Sequence, residues 1–75
     1  MERYKNLGGD SGVYGFDIGN DYIRVQFNDN SVYLYTDKSA GSHNIEKMKR
    51  LARYGEGLNA FINTTVRKSY ERKER

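Results

Sequence analysis

The sequence predicts an α+β fold, a three-stranded antiparallel β-meander followed by two helices packed on one face, in the order βββαα. Three observations carry this expectation. Apolar and polar residues alternate through residues 11–36, most clearly in YIRVQF at 22–27. From residue 44 onward the apolar residues recur at helical spacing instead. Proline is absent from the chain, so neither helix is interrupted.

The opening stretch, MERYKNLGGD, is polar and without a period, and reads as a flexible arm over residues 1–10. SGVYGFDI (11–18) reads as the first strand, with Tyr14, Phe16 and Ile18 on one side and the turn cluster Gly19-Asn20-Asp21 after it. In YIRVQF, Ile23, Val25 and Phe27 form an apolar face opposite Tyr22, Arg24 and Gln26. Asn28-Asp29-Asn30 tolerate a positive φ and reverse the chain into a third strand, SVYLYT (31–36). After a loop over 37–41, Ser42 or Asn44 caps a helix running to about Tyr54, with Ile45, Met48, Leu51 and Ala52 on its stripe. Gly55 ends it. Gly57 precedes a second helix whose stripe is Leu58, Phe61, Ile62, Thr65 and Val66, continued by Tyr70. The charged residues 71–75 read as a frayed tail.

A chain of 75 residues is a single domain with a small core, here residues 11–70, and leaves little room for a deep catalytic cleft. With 36% hydrophobic and 31% charged residues it has a globular composition. There is no cysteine and one histidine, which removes disulfides, thiolate chemistry and Cys-ligated zinc. No cofactor or metal is expected. The first ten residues lack a signal-like apolar run and no stretch is long enough to span a bilayer, so a cytoplasmic location is the default expectation. Phosphate-loop spacing and converging carboxylate pairs are missing, and no enzymatic activity is expected.

Charge is uneven along the chain. Residues 1–37 carry three basic and six acidic groups, residues 38–75 ten basic and four acidic. Such asymmetry suits a polyanionic partner. Lys47, Lys49, Arg50 and Arg53 on the first helix lie off its apolar stripe, as do Arg67, Lys68, Arg72 and Lys73 on or after the second. These eight are the candidate phosphate contacts, against the alternative of an ordinary solvated face. Asn63 and Arg67 share a helix face with Asn59 one turn earlier, able either to hydrogen-bond a nucleotide or to brace the sheet. His43 beside a helix start reads as a surface or capping residue.

Tyr33-Leu34-Tyr35, preceded by Val32 and by the strand IRVQF, together with Phe61-Ile62-Asn63, Val66-Arg67 and Tyr70, resembles the KTSC domain family, the lysyl-tRNA synthetase C-terminal domain. The resemblance covers roughly residues 11–70. Two departures are Leu34, where the family often has a polar residue, and Lys38-Ser39 or thereabouts, where it often has Val-Pro. The resemblance implies a short module for which RNA binding is suggested.

Strand alternation puts Tyr33 and Tyr35 on one side but leaves open whether they pack under the helices or stack on a ligand beside Arg24. The family's polar residue between them favours the inward orientation, which leaves Val32 and Leu34 as an exposed apolar patch for self-association. The leading expectation is a small non-catalytic module that binds RNA or another polyanion through a basic helical surface. The other is an oligomeric protein-interaction or nucleotide-sequestering module, of the kind a phage could carry, assembled through the open sheet face.

Overall fold

The computed structural model describes residues 1–9 and 11–75; Asp10, the last residue of the arm read from the sequence, lies outside them. Three strands form where alternation places them: β2 (Val13–Ile18), β3 (Tyr22–Phe27) and β4 (Val32–Thr36). The β3–β4 register sets Ile23 opposite Tyr35 and Val25 opposite Tyr33. Their hairpin closes through Phe27 N–H to Ser31 O at 2.9 Å, with Asn30 taking the positive φ of 72° that asparagine tolerates.

The sheet is nevertheless five-stranded and antiparallel, in the order β1-β2-β3-β4-β5, and three helices pack on it, which corrects the expected three-stranded meander with two helices. Both added strands are two residues long, β1 (Glu2–Arg3) against β2 and β5 (Arg72–Lys73) against β4. They come from the segments read as a flexible arm and a frayed tail. A two-residue strand has no period, so alternation cannot reveal it. β1 can approach because its partner Gly15 has no side chain: a Cβ there would lie 2.8 Å from the Glu2 carbonyl oxygen. Tyr4 follows β1 into the core, where its hydroxyl accepts a hydrogen bond from Leu58 N–H at 3.2 Å.

β2 also departs from strict alternation. Val13 pairs with Phe27 and Gly15 with Gln26, which leaves Tyr14 as an extra, bulged residue. Val13 and Phe16 therefore point inward while Tyr14, expected inside, is 43% exposed.

Three helices cover the Ile23–Val25–Tyr35 face. Residues 37–41, expected as a loop, contain the single turn α1 (Asp37–Ala40), whose start is a reciprocal cap between Thr36 and Ser39. α2 (Ser42–Tyr54) follows with Gly41 as its first cap, so neither Ser42 nor Asn44 has the expected capping role. Ile45, Met48 and Ala52 are buried as expected, and Leu51 is half-buried. Gly55 ends α2 with φ of 92°, and its N–H donates to Leu51 O at 2.9 Å. α3 (Leu58–Phe61) widens into a π-helical turn over Ile62–Val66, and then the chain leaves the helix. Tyr70 therefore lies beyond the helix and does not continue its stripe. The core of Phe16, Ile23, Val25 and Tyr35 meets Met48 of α2 and Ile62 of the π-helical turn.

On the other face of the sheet the expected apolar patch is absent, because Val32 is 3% and Leu34 5% exposed. β5 supplies the reason. Leu34 lies between Arg24 and Arg72 in register, and the Glu74 carboxylate joins both guanidinium groups, at 2.7 Å to Arg24 and 3.0 Å to Arg72. The aliphatic stems of these arginines flank Leu34 while their charged ends remain wet. Self-association through Val32 and Leu34 has no exposed apolar face to use.

Two outcomes follow from the way the ends are held. Tyr4→Phe leaves the buried Leu58 N–H unpaired, and a loss of about 1–3 kcal/mol is expected from urea unfolding midpoints. Arg24, chiefly through its hydrogen bond, holds the Glu74 carboxyl below the usual glutamate range. Its contribution is thus complete above the ordinary glutamate pKa and disappears as pH falls through the lowered one. Glu74→Gln is expected to be less stable than wild type by up to about 1 kcal/mol at neutral pH and low salt. The two unfolding curves should converge in acid; a difference that persists there would assign the effect to something other than the ion pairs.

Candidate functional site

An open groove of about 560 Å³ lies between the β3–β4 hairpin and the C-terminal end of α3. Strand alternation brings Tyr33 and Tyr35 to its floor, Tyr35 buried in the core and Tyr33 half-buried beside it. Tyr70 enters from the segment before β5. Its ring centroid is 4.8 Å from that of Tyr33 and 6.4 Å from that of Tyr35, with both pairs edge-to-face. Phe27 closes the cluster against Tyr33 at 5.7 Å and 81°. Each such pair is worth roughly 0.5–1.5 kcal/mol beyond area burial. Tyr70 remains 38% exposed, so the cluster presents an aromatic surface to the groove.

One wall is the end of α3. The π-helical turn keeps Ile62 and Val66 in the core while Asn63, Arg67 and Lys68 border the groove. Asn63 is exposed on this wall. The opposite wall is the hairpin, with Asn28, Asp29 and Ser31. Asp29 accepts from Ser31 N–H at 3.0 Å and from the Ser31 hydroxyl at 2.6 Å, and these bonds hold its carboxyl below the usual aspartate range. Lys73 on β5 sits near the rim, its ammonium 5.8 Å from the Tyr33 ring centroid.

The remaining candidates are dispersed. Lys49 is 5% exposed, not solvent-facing as expected. Its ammonium donates to Asn20 O at 2.9 Å and to Glu46 at 3.0 Å. Lys47, Arg50 and Arg53 are exposed on α2 but do not border the groove, and the Lys47 ammonium lies over the Phe61 ring at 5.2 Å. Arg72 is engaged by Glu71 and Glu74. Arg24, considered as a neighbour of Tyr33 and Tyr35, lies on the opposite sheet face, bonded to Glu74 and set over the Tyr22 ring. Asn59 lines a separate hollow with Tyr4 and Asn6, apart from Asn63 and Arg67. His43 is exposed in the first turn of α2. The eight candidate cations therefore form no single strip.

Sequence reasoning missed the hairpin wall because Asn28, Asp29 and Ser31 have the composition of an ordinary turn. Among the described residues no group of three or more His, Cys, Asp or Glu side chains is placed to hold a metal ion, and no helix is long and apolar enough to cross a membrane. Comparison of the chain with protein-family models, curated proteins and solved structures gave no match.

Burial, helped by the neighbouring Tyr33 and Tyr70 phenols, raises the Tyr35 hydroxyl from its ordinary value of 10 to about 12. The neutral phenol is favoured in the folded state. The associated stability is complete below pH 10 and is lost as pH rises through about 12. Ultraviolet titration of the seven tyrosines is expected to show a late phenolate step that Tyr35→Phe removes; survival of that step in the variant would assign it to another tyrosine.

Proposed function

We propose that the protein is a small non-catalytic module that binds single-stranded nucleic acid, RNA in preference, in the groove between the β3–β4 hairpin and the end of α3. The observation that carries this reading is the convergence of Tyr33 and Tyr70 with Asn63, Arg67 and Lys68 around one groove. Each part has a counterpart in a nucleotide. The partly exposed rings of Tyr33 and Tyr70 take a base by stacking, which is sequence-tolerant because every base has a π face. Asn63 supplies amide donors and an acceptor for a base edge. Arg67 and Lys68, with Lys73 at the rim, meet the phosphates. The groove volume, about 560 Å³, is within the range of small-ligand sites. A single-stranded partner suits the open form of the groove, since unpaired bases can be splayed onto aromatic side chains. The resemblance to the KTSC domain family, for which RNA binding is suggested, points the same way.

The test is fluorescence anisotropy with a labelled single-stranded RNA of about ten nucleotides, a length suited to a small binding fold. Binding at low salt is expected, with affinity falling as salt rises and Arg67→Ala reducing the log–log slope by about 0.7. Tyr70→Leu should weaken binding by about 1–3 kcal/mol, the value of one base stacked on an aromatic ring. Absence of binding at low salt would refute the proposal. Binding unaffected by both substitutions would place the RNA elsewhere on the molecule.

A further inference from the structure

The two walls of the groove differ in charge. Arg67 and Lys68 line one side, whereas Asp29, held by Ser31, lines the other. A carboxylate is out of place in a site made only for phosphate, because it repels the anion. It is suited to a part of the ligand that donates hydrogen bonds. One oxygen of Asp29, Oδ1, accepts from both the Ser31 N–H and the Ser31 hydroxyl. The carboxylate as a whole is exposed to solvent on the groove wall. The group is also kept ionised, chiefly by the Ser31 hydrogen bonds and with help from the charge of Lys73, so it acts only as an acceptor.

Resting on the proposed nucleic-acid role of the groove, the geometry points to Asp29 as the residue that accepts a hydrogen bond from a ribose 2′-hydroxyl and so distinguishes RNA from DNA. With the base over Tyr33 and Tyr70 and the phosphates toward Arg67 and Lys68, the sugar is the remaining part of the nucleotide that can meet the hairpin wall. The 2′-hydroxyl is the donor that ribose has and deoxyribose lacks. Hydrogen bonds to ionised groups are stronger than those between neutral ones, so a single carboxylate is enough to discriminate. Ser31 positions the carboxylate: its two donors fix one oxygen, which orients the other.

The experiment compares oligouridine, oligodeoxyuridine and 2′-O-methyl oligouridine of one length, about ten nucleotides, by anisotropy against wild type and Asp29→Asn. The three probes share their bases and differ only in the sugar. Wild type is expected to bind oligouridine about tenfold more tightly than either of the others, since the methylated sugar keeps the oxygen but cannot donate. In Asp29→Asn, whose side-chain oxygen still accepts from Ser31, that ratio should fall toward one, mainly through weaker binding of oligouridine. Equal wild-type affinity for RNA and DNA, or a ratio that survives in Asp29→Asn, overturns the sugar-reading role and leaves the groove standing as a nucleic-acid site. A parallel loss for RNA and DNA shows that Asp29 meets a base edge, which also overturns it. Failure to bind any of the probes removes the nucleic-acid role and this inference together. The comparison of probes on wild type needs no variant to fold.

Discussion

The pairing of the last strand with β4 is the constraint on which the groove depends. Glu71 N–H donates to Leu34 O at 2.6 Å, Glu74 N–H to Val32 O at 2.7 Å and Val32 N–H to Arg75 O at 2.9 Å. These backbone bonds fix the path of the chain after α3, and with it the position of Tyr70 against Tyr33 and Tyr35. The same strand serves both faces of the sheet. On one face, Glu74 joins Arg24 and Arg72 beside Leu34; on the other, Lys73 stands near Tyr33. The ion pairs behind the sheet are thereby linked to the aromatic cluster in front of it through a few residues of extended backbone.

Two short segments outside the three-stranded meander add to the sheet and to the buried area. Tyr4 follows β1 into the core and supplies the acceptor for the first N–H of α3, so the N-terminal segment is tied to the last helix. Both outer strands are two residues long with exposed, charged side chains, which suits an edge that must not pair with another chain. The apolar patch expected from the sequence is covered without oligomerisation, because β5 extends the sheet over the flank of Leu34.

The legible parts of the fold were those with a period. Ile23, Val25 and Phe27 identified β3, Asn28-Asp29-Asn30 its hairpin, and Ile45, Met48 and Ala52 the inner face of α2. Gly55 marked where that helix stops. The rest depended on events that a period does not encode. The bulge at Tyr14 turns Val13 inward in its place while Phe16 and Ile18 keep the side read from alternation, and Gly15 accepts β1 by lacking a side chain. Thr36 and Ser39 cap each other and turn an expected loop into α1. The widened turn at Ile62–Val66 follows from no simple residue pattern, yet it decides that Tyr70 leaves the helix. Of the site, the common side of Tyr33 and Tyr35 and the neighbourhood of Asn63 with Arg67 could be read from spacing. The hairpin wall could not, because it meets them only after folding.

Charge gives the sharpest lesson about what summation over a sequence leaves out. The second half of the chain is strongly basic, and off-stripe positions on two helices suggested a broad cationic face. Folding divides those charges among different tasks. Lys49 is buried with its ammonium on the Asn20 carbonyl, a bond that joins α2 to the β2–β3 turn. Arg72 is neutralised by two glutamates. The cations of α2 stay in water but away from the aromatic cluster. Arg67 and Lys68, with Lys73 at the rim, are left beside exposed tyrosine rings, and Asp29 faces them across the groove. Long-range attraction for a polyanion scales with net charge, which is only +3 here. On the proposed reading, recognition would rest on short-range arrangement instead: stacking on the tyrosines, a few phosphate contacts, and the Asp29 acceptor on the facing wall.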